Sequence, residues 1–347
     1  MSAEAGTAPR PVPTPRRAPR IPATLLQNRV LGVAAFLVLL SLTFAATAPH
    51  FAQLENATTI ALNASTLVVL AAAETVVVVT RNYDLSVGST AALAAYLGLD
   101  IVRHLPPLGP VLVIVPILIG LACGVVNGAI VAYGRVPSVI ATLGTMSVFR
   151  GLAFLYANGH QIDVKDLPGW VASTSAAHVL GLPVLIVIAL LVVAAGSVLL
   201  RYLPLGRQIY AVGSNPAAAE FYGLRAPRII FRAYVLCGGL TGIAAFMLAA
   251  QASWIVPYLA QGMELSALAA VVIGGVSVLG GSGTVAGAAV GALTLATIDN
   301  GLVLLGASEF VREFVQGAAI VAAVIVDALI QHRIRDLVRG LRRRRTA

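Results

Sequence analysis

About ten apolar runs, most long enough for a helix to cross a hydrocarbon layer of roughly 30 Å, follow one another with little polar sequence between them. They cover approximately 30–48, 60–80, 86–103, 110–133, 137–157, 181–200, 230–250, 263–279, 284–300 and 311–330. Lipid offers the backbone no hydrogen-bond partner, so segments that cross it must be helices or strands of a closed barrel. These runs are continuous rather than alternating, which points to helices. Only 11% of the 347 residues are charged, against about a quarter in an ordinary soluble domain. Too few charges remain to cover a water-facing surface. The expected fold is an all-α integral membrane protein with about ten transmembrane helices.

The formal net charge of +9 is unevenly placed. Arginines crowd residues 1–29, the stretch from Arg201 to Arg232, and the tail from Arg333 to Arg345. Each cluster abuts an apolar run, so the excess of cationic residues in cytoplasmic segments explains it better than nucleic-acid binding does. With the first 29 residues inside, the inner segments carry Arg81, Arg135, the loop and the tail. The outer ones carry the mixed sets His50 and Glu55; Arg103 and His104; Asp163, Lys165 and Asp166; and Glu309, Arg312 and Glu313. Both termini are therefore expected in the cytoplasm, with the chain a multi-pass membrane protein. Residues 1–29, rich in Pro, Ala and Arg, read as a disordered cytoplasmic arm, 30–330 as the transmembrane domain and 331–347 as a basic tail. Cys123 and Cys237 sit inside apolar runs and read as packing residues. No metal-ligand spacing is present.

The longest inner loop, 201–229, contains SNPAAAEFYG. Asn215 suits an N-cap, Pro216 the first helical position and Gly223 a left-handed C-cap. A short helix over about Pro216–Tyr222 is predicted. So short a helix needs tertiary support, either from its own bundle or from a cytoplasmic partner. Further on, Gly281-Ser282-Gly283-Thr284-Val285-Ala286 mimics a dinucleotide fingerprint, but apolar runs flank it and no βαβ unit surrounds it. A phosphate loop of the Gly-Lys type is excluded, because Lys165 is the only lysine. Gly283, Gly287 and Gly291 instead repeat at four-residue spacing, which lets helix backbones approach closely.

Ionisable groups within apolar runs cost about 2.5–3.5 kcal/mol each on insertion scales, so they face a bundle interior or a wet path. Glu74, Glu264 and Asp299 are such groups, with Asn127 and Thr142 as uncharged companions. They are the candidates for a weakly binding translocation path, and each could equally serve in helix–helix hydrogen bonding. Asp84 sits at a helix break and could cap the next helix, and Gly88 follows in the same turn region. Neither G-x-S-x-G, S-x-x-K nor H-E-x-x-H occurs, so no catalytic residue is assigned.

Four stretches then resemble one family: TRNYDLSVGS at 80–89, GVVNGAIVAYGRVPSVIATLGTMSVFRGLAF at 124–154, LGRQIYAVGSNPAAAEFYGL at 205–224 and ALAAVVIGGVSVLGGSGTVAGAAVGA at 267–292. They are similar to the permease subunits of monosaccharide ABC importers, the ribose, galactose, xylose, rhamnose and autoinducer group. The resemblance runs from Val30 to Ile330. It implies a pore of two permeases, a separate cytoplasmic ATPase that holds ATP and Mg, and an extracytoplasmic sugar-binding protein. This chain would then bind no cofactor. Asn215, Pro216, Ala217, Ala218, Glu220 and Gly223 match the family's ATPase-docking segment. Thr80-Arg81-Asn82 before the D-L-S-V-G-S motif resembles the rhamnose and autoinducer branches, where two different permeases pair; Tyr83 departs from the family's usual isoleucine. The competing expectation is an ion-coupled secondary transporter of a small polar solute, for which Glu74 is the only good coupling charge.

Overall fold

The computed structural model describes residues 29–105, 108–322 and 325. The expected arm, except Arg29, the whole of the expected basic tail at 331–347 and the end of the tenth apolar run lie outside the described residues. The described chain is a bundle of helices. In order they are α1 (Arg29–Thr47), α2 (Leu54–Val78), α3 (Val87–His104), α4 (Ile114–Gly128), α5 (Ser138–Ala157), the short α6 (Gly169–Ala176), α7 (Val184–Tyr202), α8 (Pro204–Ser214), α9 (Pro216–Phe221), α10 (Ala226–Gln251), α11 (Met263–Ile273), α12 (Val285–Leu304) and α13 (309–322). The strands among the described residues are two-residue pieces. β1 (Ile162–Asp163) pairs antiparallel with β4 (Trp254–Ile255), and β2 (His178–Val179) with β3 (Leu182–Pro183).

Seven of the described helices are long and apolar enough to cross a membrane, α4 being extended to Gly109–Tyr133 by a 3₁₀ turn before it and a π-turn after it. They sort by side-chain size. α2 and α10 form the centre, each 72% buried over its most apolar window, whereas α1 is 6% buried. The middle of α2, from Ala64 to Val78, is Ala, Val, Thr and Ser with few large residues, so neighbours can close on every side. The peripheral α1 turns Leu31, Phe36, Leu39 and Leu42 outward, as a helix bathed in lipid does.

Glycine lets two of the spans meet backbone to backbone. A Cβ on Gly120 of α4 would stand 2.2 Å from the Gly238 carbonyl oxygen of α10, and one on Gly238 would stand 2.2 Å from that of Gly120. With Gly124 and Gly242 these positions form two facing G-x-x-x-G steps, so the backbones of α4 and α10 touch.

Two expectations require correction. The eighth apolar run, 263–279, is not one span: α11 stops at Ile273 after 11 residues, about 16 Å of helix, too short to cross. Gly274 and Gly275 end it, Gly275 at φ 80°, and an irregular loop follows to Thr284. Gly283 is not on a helix with Gly287 and Gly291; it lies in that loop at φ 131°. The helix begins after it, with the Thr284 side chain accepting from the Gly287 N–H at 3.0 Å. Gly287 and Gly291 do lie against α11, where their Cβ atoms would meet the carbonyl oxygens of Gly274 and Ala270.

Candidate functional site

Two regions gather the singled-out residues. The first is a buried polar knot around the loop 79–86, where the chain leaves α2 and turns back into α3. Glu74, on α2, accepts from the Asp84 backbone N–H at 3.1 Å. Asp84 closes its own turn by accepting from the Ser86 N–H (3.0 Å) and hydroxyl (2.6 Å). It thus braces the residue that precedes α3 rather than capping α3 itself, whose N-cap position is Ser86. Asn127 of α4 donates its amide to both Asp84 carboxylate oxygens (3.2 Å each) and to Ser86 Oγ (2.7 Å). From α5, Thr142 Oγ1 accepts from the Leu85 N–H at 3.1 Å and donates to Ser138 O at 2.8 Å. From α10, the Tyr234 hydroxyl donates to Tyr83 O at 2.8 Å. Glu74, Asp84, Asn127 and Thr142 are 1%, 3%, 1% and 0% exposed.

The knot therefore ties four helices to one loop. Such polar groups must be satisfied internally where water is absent. Glu74 Oε2 and Asn127 Oδ1 are buried without a hydrogen-bond partner. Among the described residues neither Glu74 nor Asp84 is in an ion pair.

The remaining polar candidates lie elsewhere. Glu264 opens α11 and presses against α3: a Cβ on Gly88 would fall 2.0 Å from Glu264 Oε2, so Gly88 is the notch that receives this carboxylate. Asp299, on α12, is ion-paired with Arg312 at 2.9 Å and accepts from Gln316 at 3.2 Å, which ties α12 to α13. The structure thus brings Glu74, Asp84, Asn127 and Thr142 together, pairs Gly88 with Glu264, and leaves Asp299 apart.

The second region is α9. Asn215 Oδ1 accepts from the Ala218 N–H at 3.1 Å, Pro216 occupies the first turn, and Gly223 has φ 81°. The helix runs Pro216–Phe221, one residue shorter than the expected Pro216–Tyr222. Ala219 packs inward at 4% exposure, while Phe221 and Tyr222 project at 95% and 87%. Ala217 and Glu220 are exposed beside them. These two aromatics were not among the residues singled out by sequence. Their signal was their position, directly after Glu220 on a helix whose one buried residue is a small Ala219. A shallow groove lined by Tyr133, Glu220, Leu224 and Arg228 opens at the helix's C-terminal end. Among the described residues no three His, Cys, Asp or Glu side chains gather as a metal site would require.

Comparison with known proteins decides the family. Residues 56–324 match the model of the permease component of branched-chain amino acid transport systems. The chain belongs to this family of importer permeases, the group that its sequence motifs resemble. It is similar to the autoinducer 2 import system permease protein of Shigella flexneri, 34% identical over 86% of this chain and 85% of the relative. It is likewise similar to that of Salmonella typhi, 33% identical over 92% of this chain and 90% of the relative. With the ribose import permease protein of Escherichia coli K12 it shares 37% identity over 84% of this chain and 91% of the relative. No solved structure matches. As a permease of this family the chain is a multi-pass membrane protein whose role is transport.

Proposed function

We propose that this permease is the pore subunit of an ATP-driven importer for a monosaccharide or sugar-like solute, seated in a bacterial inner membrane with both termini in the cytoplasm. The observation that carries the reading is α9: a helix capped at both ends, exposed on its outward face, and tipped by Phe221 and Tyr222. Exposed aromatics on a rigid helix are the anchors that a partner's groove takes. A cytoplasmic ATPase, holding the ATP and Mg, is that partner. The relatives named for import of autoinducer 2 and ribose support a small polyhydroxylated cargo, delivered from outside by a binding protein. A second permease, identical or different, completes the pore. The short α11 and the 18-residue α3 join the seven long helices and α13 in the full set of about ten lipid-embedded elements.

The mechanism is alternating access driven from outside this chain. ATP binding closes the ATPase pair, α9 follows its groove, and the bundle rocks as a body. The cargo path must bind weakly, since passage requires release. The ion-coupled alternative gains no support from the comparisons. Replacing Glu220 and Gly223 together tests the dock. Transport and assembly with the ATPase should both fail, and survival of both would remove the docking role.

A further inference from the structure

We propose that Arg81 is the positioning residue that carries movement of the docking helix into the loops after α2 and α11. This inference rests on the reading of α9 as the ATPase dock.

The last carbonyls of any helix lack partners within it. α8 leads from the α7 span to α9, and its final carbonyls are taken by one side chain. Arg81 donates through Nε to Gly213 O and through Nη2 to Ser214 O, the latter at 2.6 Å. A guanidinium can grip two carbonyls at once in a fixed fork, which a lysine ammonium cannot reproduce. Arg81 also sits at φ 68°, in the left-handed region that is unfavourable for a non-glycine residue. The chain accepts this strain where a glycine would relieve it, and the side chain so aimed reaches across 132 residues of sequence.

Backbone contact reinforces the grip. Gly281 N–H donates to Val79 O at 2.9 Å. A Cβ on Gly213 would lie 1.7 Å from that same carbonyl oxygen, and one on Gly280 would lie 2.4 Å from Arg81 Cγ. Tyr83 donates its hydroxyl to Val278 O, and Tyr210 of α8 donates to Gly283 O, each at 2.6 Å. The foot of the dock, the loop after α2 and the loop after α11 are thus locked in one junction. Arg81 stands three residues before Asp84, the centre of the knot that binds α4, α5 and α10. A displacement of α9 has a stiff route through Arg81 into the loops that follow α2 and α11.

The test uses the complete importer, co-expressed with its ATPase and binding protein, and pairs of nitroxide labels read by pulsed EPR. One label replaces Arg225, exposed just after α9, one Asn82 beside Arg81, and one Leu180, which is 99% exposed in the β2–β3 hairpin at the opposite end of α7. On trapping with ATP and vanadate, the Arg225–Leu180 distance should change by about 2 Å or more, the scale of helix shifts at moving interfaces. The Arg225–Asn82 distance should hold. In R81A the Arg225–Asn82 distance should shift or broaden while the ATPase stays bound, and R81K should fall between. The proposal is overturned by an R81A complex indistinguishable from the parent. It is equally overturned by a parent in which Arg225–Asn82 changes as much as Arg225–Leu180, or in which neither changes. Should R81A fail to fold, the parent measurements decide alone. A parent that purifies without its ATPase would instead defeat the reading of α9, and this inference would fall with it.

Discussion

Around Asp84 the backbone and hydroxyl of Ser86, the Asn127 amide and the Cys237 thiol all converge on a carboxylate that is 3% exposed. At α9 the Asn215 side chain accepts a single hydrogen bond and caps a helix whose last residue, Phe221, stands with Tyr222 almost wholly in the open. Both regions are polar breaks in an apolar chain, yet they spend their polarity differently. In the knot, donors and acceptors from distant helices satisfy one another, so removing one strands several in a place without water. In α9 the polar groups serve only the helix ends, and the exposed face is left for something else. The first region should therefore govern whether the protein folds, and the second whether it works.

The sharpest way to break this contrast is Asp84→Ala. It strands the Ser86 and Asn127 donors in the core, and each buried unsatisfied group costs about 1–3 kcal/mol. With several donors stranded together, a total loss of about 3–5 kcal/mol is expected, read as collapse of the folded fraction in detergent by size-exclusion and thermal melting. Asp84→Asn keeps one carbonyl acceptor and should lose less than half as much. If Asp84→Ala melts with the parent, the knot is held by apolar packing and the contrast disappears.

Next in size is the double change Phe221→Ala with Tyr222→Ala. Both side chains are exposed, so thermal stability should move by less than about 0.5 kcal/mol. Recovery of the ATPase with the permease should fall about tenfold or more, as loss of a paired aromatic anchor implies. A variant that assembles normally would place the dock elsewhere. Asn215→Ala is milder. Loss of an N-cap costs about 1 kcal/mol, which frays a six-residue helix without disturbing the bundle. Uptake should drop a few-fold while the melting temperature stays put.

The same contrast explains what could be read from the sequence. α9 was legible nearly to the residue because its signals are local: an N-cap, a proline and a C-cap glycine within a single short run. The knot was legible only as a set of separate suspects. Glu74 and Asp84 are 10 residues apart and Asp84 and Asn127 are 43 apart, and no local rule joins them. The early end of α11 was hidden because Val276, Val278 and Leu279 continue the apolar run past the helix; the Gly274-Gly275 pair was the overlooked sign. Arg81 read as one more inner charge, since its grip on α8 is purely tertiary. The α4–α10 contact had a visible signal in the spacing of Gly120, Gly124 and Gly128 and of Gly238 and Gly242, which carries the same close-approach logic as the α12 glycines.

The smallest expected effect is also the one that divides the two transport mechanisms. Glu74→Gln preserves the oxygen that accepts the Asp84 N–H and replaces Oε2, which has no partner, with an amide. It also removes one of two neighbouring buried carboxylates, each of which would be costly to charge in so dry a place. The Asp84 N–H keeps its acceptor, and the cost of burying the new amide donors is offset by relief of the paired buried carboxylates, so the net stability change should stay under about 1 kcal/mol, far below that of Asp84→Ala. An ATP-driven permease should keep its uptake, since Glu74 only braces a loop. An ion-coupled transporter would lose uptake, because an amide cannot carry the coupling proton. Measuring uptake with ATP depleted, across a proton gradient, separates the outcomes. Gradient-driven uptake that vanishes in Glu74→Gln would move this carboxylate from scaffold to machinery, and would erase the division of labour between the knot and the dock.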